Sequence, residues 1–146
     1  MSVISEKIRV ALRAKLNVSG VLASGTGYAT AVYYQKAPAN AVTPYVIFNR
    51  VAPGPVKRPV LGALVLEDDL WQIEAVTEES NHTTLGPVEL GQDILEDCET
   101  AIGETLTISG NTVEYCKRVS DIPGYPEFVN NRHVFHEGFN LRTQTS

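Results

Sequence analysis

Cysteine is scarce in this chain: Cys98 and Cys116 are the two thiols in 146 residues. That is too few for a disulfide scaffold and fits a reducing compartment. Their spacing matches no metal or redox motif, so both read as small buried hydrophobes. Long apolar runs are missing as well. The longest nearly apolar stretch, residues 60–66, reads VLGALVL, far short of the roughly 20 residues a membrane-spanning helix needs. Glu6, Lys7 and Arg9 fall where a secretory segment is continuously apolar, so the expectation is a protein that is not exported. The Asn-x-Ser/Thr sites at Asn17 and Asn81 then carry no meaning as glycan acceptors.

Bases are absent from residues 63–116, which hold thirteen acids. Residues 1–62 hold eight bases and a single acid, Glu6. The three stretches 1–62, 63–116 and 117–146 carry +7, −13 and +1, which makes the net charge of −5. A chain polarised in this way can pair its halves internally, present solvated helix faces, or offer unlike patches to two neighbours. The bases are spread thinly and form no cluster interleaved with aromatics, so nucleic-acid binding is disfavoured.

What is present suits one soluble domain. The chain is 43% hydrophobic and 20% charged, and its length allows one real core. Ile4, Ile8, Leu12 and Leu16 recur every four residues and predict a helix, with Ser2 or Ser5 as its N-cap. Residues 31–34 and 45–51 are rich in aromatic and β-branched types and predict strands. Pro53, Pro55 and Pro59 predict a loop or arm over 52–62 that does not extend the sheet. Residues 69–77 predict a strand with Trp71, Ile73 and Ala75 on one face. Glu67, Asp68 and Asp69 read as a solvated turn before it.

Gly86-Pro87-Val88-Glu89 has the form of a helix start, and Gly103 of its stop. Leu90, Ile94, Leu95, Cys98 and Ile102 mark the apolar face of that helix, and Glu89, Asp93, Glu96 and Asp97 its acidic one. A hairpin over 105–119 turns at Ser109-Gly110-Asn111. Residues 121–131 read as a proline-bearing loop, and 132–142 as a last strand. The order α-β-β-β-α-β-β-β predicts an α+β fold: a mostly antiparallel sheet covered on one face by two helices. The expected core sets Trp71, Ile73, Tyr45, Ile47, Phe135 and Phe139 against Ile8, Leu12, Ile94 and Cys98.

No residue pattern points to catalysis. Gly20 to Thr26 has the G-x4-G spacing of a phosphate loop, but Thr26 stands where the lysine belongs and a helix precedes it where a strand should be. No G-x-S-x-G elbow occurs. His133 and His136 are three apart on a strand and point to opposite faces, so they cannot share one ion. The reading is a half-buried His133 and a solvent-facing His136. Glu67-Asp68-Asp69 lacks the ligand spacing, central glycine and closing glutamate of a calcium loop. No cofactor or metal is expected.

Several phrases run in a definite order. The helix Ile8-Arg9-Val10-Ala11-Leu12-Arg13-Ala14-Lys15-Leu16 comes first. The strand Val32-Tyr33-Tyr34 leads through an alanine- and proline-bearing stretch into Pro44-Tyr45-Val46-Ile47. Trp71-Gln72-Ile73-Glu74-Ala75-Val76 follows, and then a helix near 87–102. In this order the chain resembles the tail terminator (tail-completion) proteins of long-tailed bacteriophages, over nearly its whole length. It departs from their commoner pattern at Gly86-Pro87, which stands where that pattern has an alanine-rich helical run.

The resemblance implies a non-enzymatic virion protein of the tail and neck, assembled in the host cytoplasm. It implies a ring, hexameric in that family, that stops tail-tube polymerisation and docks the tail to the head connector. The partners implied are copies of itself, the tail tube protein and the connector or stopper protein, with no membrane or specific nucleic-acid partner. A ring needs one patch to meet a different patch on the neighbour, and the polarised charge supplies two. Arg50 before the proline-bearing arm, Lys57 and Arg58 within it, and Glu67, Asp68 and Asp69 after it are the candidate subunit or tube interface. A head-completion or stopper protein, a tube subunit and a small ligand-binding α+β domain stay open as alternatives.

Overall fold

The computed structural model describes residues 3–57, 66–129 and 131–146, with 52–57 and 66 as backbone only. The chain is an α+β fold whose elements follow the expected order. Helix α1 spans Val3–Leu16, and strands β1, β2 and β3 span Val32–Tyr34, Tyr45–Lys57 and Leu66–Thr77. A short 3₁₀ turn, Glu79–Asn81, precedes helix α2, Pro87–Ile102. Strands β4, β5 and β6 span Thr107–Ile108, Asn111–Val129 and Arg132–Thr145. They form one six-stranded sheet in the order β1-β2-β3-β6-β5-β4. β1 runs parallel to β2 and every other pairing is antiparallel.

Both helices cover one face, because each carries one apolar stripe that only the sheet can bury. Ile8, Leu12 and Leu16 of α1 and Leu90, Ile94, Leu95, Cys98 and Ile102 of α2 are buried there. They join Val46, Phe48, Trp71, Ile73, Ala75, Phe139 and Leu141 in one core. Each fully buried large side chain there contributes about 1.5–3 kcal/mol. α2 starts as its sequence dictates, with Gly86 at the N-cap and Pro87 inside the first turn. It ends at Gly103, whose φ of 66° favours a residue without Cβ.

Five expectations about the fold need correction. The segment after Val51 does extend the sheet: β2 runs through Pro53 and Pro55 to Lys57, paired with β3 from Leu70 back to Leu66. Register shifts between Arg50 and Ala52 and between Pro53 and Val56 absorb the prolines, because a bulge tolerates a residue that donates no ladder bond. Residues 58–65, with Arg58 and Pro59, lie outside the described residues. Likewise 121–129 is strand, not loop, and its shift between Ile122 and Tyr125 takes up Pro123.

The phase of β2 is the reverse of the expected one. Val46 and Phe48 face the helices, while Tyr45 and Ile47 lie half-buried on the opposite face. Phe135 is half-buried beside Thr77 at the end of the sheet. Glu67, Asp68 and Asp69 are no solvated turn. They are strand residues, 8%, 6% and 1% exposed.

Candidate functional site

Charge concentrates at the root of the β2–β3 arm. Asp69 points to the helix side of β3. Its Oδ1 accepts from Arg50 Nε at 3.0 Å and Nη2 at 2.9 Å. Its Oδ2 accepts from the Ser5 hydroxyl at 2.9 Å, and the same hydroxyl lies 3.4 Å from Glu67 Oε1. Ser5 is thus a buried clamp inside α1 rather than its N-cap. Asp68, on the other face, accepts from Arg142 Nε at 2.9 Å and pairs with Arg142 Nη2. Gln144 adds an amide at 3.4 Å. Alternation along β3 divides the acidic run between two faces, and a base meets it on each. Arg50 and Asp69, at opposite ends of the sequence polarity, are paired inside one chain. The Lys57 backbone pairs with Leu66 at the end of the described arm.

The second arm is the hairpin of β5 and β6. Side chains of its far half line the sheet face opposite the helices. There a cleft of about 420 Å³ is lined by Tyr45, Ile47, Glu74, Glu127, Arg132 and His136 among others. His136 is the half-buried histidine and His133 the exposed one, the reverse of the expectation. The strand phase follows Phe139 and Leu141, which the core demands, and that turns His136 into the cleft. His136 Nδ1 pairs with Glu74 Oε1, and its Nε2 lies 2.6 Å from Glu127 Oε2. Tyr125 stacks on the ring at 4.5 Å and 7°. Burial pulls the His136 proton affinity down, but hydrogen bonds to and the charges of Glu74 and Glu127 outweigh it and raise the pKa.

Burial pushes the Cys98 thiol up to about 12 and the Cys116 thiol up to about 11, so neither supplies a thiolate near neutral pH. In the loop with phosphate-loop spacing, the amides are already used. Thr26 and Gly27 donate to Ser19 O at 2.8 and 3.2 Å, and Gly25 donates to Leu22 O at 3.0 Å. A Cβ on Gly27 would sit 2.2 Å from the Val21 backbone, so this glycine serves a close chain crossing and not an anion. Among the described residues no group of three His, Cys, Asp or Glu side chains could hold a metal ion. No described helix is long and apolar enough to cross a membrane.

The β5 side of the sheet is unusually open. Val119, Tyr125, Phe128 and Val129 are exposed, Phe128 by 61%. Beyond Thr112, β5 has no strand on its outer edge among the described residues, and neither has β2 beyond Phe48. Sequence reasoning missed this surface, because it took residues 121–131 for a loop. The alternation that marks a half-buried strand is lacking in β5, whose burial pattern is mostly exposed on both faces.

No protein-family model matches the chain, and no curated protein matches it. Its fold is similar to that of a chain in a solved structure described as the virion of a native gene transfer agent particle. The similarity has a TM-score of 0.63 and covers 99% of this chain and 98% of that one, at 14% sequence identity.

Proposed function

We propose that this protein is a structural component of a phage-like virion, and that it forms a ring closing the head-proximal end of a tail tube. The observation that carries the reading is the fold similarity to a virion-particle chain, which covers 99% of this chain and 98% of that one. The open edges of β2 and β5 and the exposed apolar residues of β5 support it too. Such surfaces invite pairing with another chain and are normally covered in an assembly. The two edges lie at opposite sides of one sheet and differ in sequence, which suits head-to-tail contacts that close into a ring.

In this reading the work is mechanical, with no catalytic residue and no cofactor. Copies of the chain contact each other, the tube protein below and the connector or stopper protein above. The β2–β3 arm reaches a neighbour or the tube, with Lys57 and Arg58 meeting carboxylates there. Arg50, Glu67, Asp68 and Asp69 brace the root of that arm through the internal pairs already described.

Replacing residues 58–65 by Asn-Gly tests the arm, since Lys57 and Leu66 are paired neighbours that a two-residue turn can join. The variant is expected to unfold at nearly the wild-type temperature and to fail in limiting or joining tails during assembly with the cognate tube protein. Tails of normal length that join heads would refute the arm's role. Tubes built from the chain alone would favour a tube subunit instead.

A further inference from the structure

The His136 ring touches side chains on both strands that flank its own. Glu74 lies on β3, Glu127 and Tyr125 lie on β5, and β6 between them carries the histidine. Tyr45 of β2, Arg132 of β6 and Lys36 line the same cleft. Arg132 lies 3.4 Å from Glu78. Burial raises the Tyr45 and Tyr125 pKa values, so both phenols stay neutral beside the ring. The register shift between Ile122 and Tyr125 interrupts the β5–β6 ladder just before the contact. The far part of the arm is therefore held across that interruption partly by side chains.

A neutral imidazole carries one N–H and an imidazolium carries two. The Nε2 contact with Glu127 is an ion pair without a well-directed hydrogen bond, so only the charged ring attracts Glu74 and Glu127 together. When it is neutral, one carboxylate faces a nitrogen lone pair. Glu74 is 12% exposed and Glu127 is 47% exposed, so Glu74 keeps the remaining N–H and Glu127 turns to water. We propose that His136 is a proton-operated staple that holds the outer part of the β5–β6 arm to the sheet and releases it when the ring becomes neutral.

The sign follows from the raised folded-state affinity. The stabilisation is complete below the unfolded value of about 6.5 and is lost as pH rises through the folded value. The staple concerns the isolated chain and stands apart from any ring.

Amide hydrogen exchange of the full chain, corrected for its intrinsic pH dependence, tests it alongside the NMR titration of the His136 ring. Exchange at Tyr125, Glu127 and Val129, whose amides share one edge of β5, is expected to rise about tenfold as the ring loses its proton. The amides of Ile73 and Leu141 in the core should not follow. Glu127→Gln should abolish the step, because an amide can donate to or accept from Nε2. His133→Gln, on the exposed ring next along the arm, should keep it. A flat profile across the His136 titration, or a step that persists in Glu127→Gln, would overturn the proposal.

Discussion

Arg50→Met is expected to cost about 3–5 kcal/mol of folding free energy, a large share of the about 5–15 kcal/mol typical of a domain. Asp69 is 1% exposed, and Arg50 supplies both donors to its Oδ1. Without the guanidinium, the buried Asp69 charge loses both donors on its Oδ1 and keeps the Ser5 hydroxyl on its Oδ2. Denaturant titrations at neutral pH measure the deficit. Adding Asp69→Asn to Arg50→Met should recover much of the loss, because a neutral amide is cheaper to bury than an unpaired charge. A loss under roughly 1 kcal/mol would put the pair in the class of surface ion pairs and contradict the burial on which the arm's bracing rests.

Phe139→Ala is expected to cost a similar amount, about 3–5 kcal/mol, through lost transfer energy and the cavity left behind. Its ring is fully buried between the helices and the sheet, with Ile73 opposite on β3 and the Arg118 guanidinium 4.7 Å from its centroid. Phe135→Ala should cost only about 1–2 kcal/mol, since part of that ring already meets water. Urea unfolding of the two variants under one condition decides it. Equal losses would mean that the last strand sits in a different register.

Most of the architecture was legible because helix periodicity and caps are local signals. The four-residue spacing from Ile4 to Leu16 and the Gly86-Pro87 start both led to the observed helices. Strand extent was not legible where prolines intervened. Pro53, Pro55, Pro123 and Pro126 read as breakers, yet bulges let them ride in long hairpins. The phase of β2 was ambiguous for a different reason. Tyr45-Val46-Ile47-Phe48 is apolar at every position, so alternation could not choose a face. The choice is made by register with β3, where Val46 pairs with Ala75 and Phe48 with Ile73.

The acidic run misled in the same way. Three consecutive carboxylates look solvated until Arg50 and Arg142 come alongside from distant positions in the sequence. Of the six residues singled out for an interface, four meet at the arm root and Lys57 lies farther along the arm. No local pattern pointed to the His136 cluster, because its members come from three strands and only the assembled sheet brings them together.

The measurement that bears most directly on the central reading is electron microscopy of tail assembly with and without this chain. The account predicts tails of uniform length, capped at one end by a closed ring, when the chain is present. In its absence, tubes should overrun that length and fail to join heads. Uniform, head-joined tails formed without the chain would contradict it.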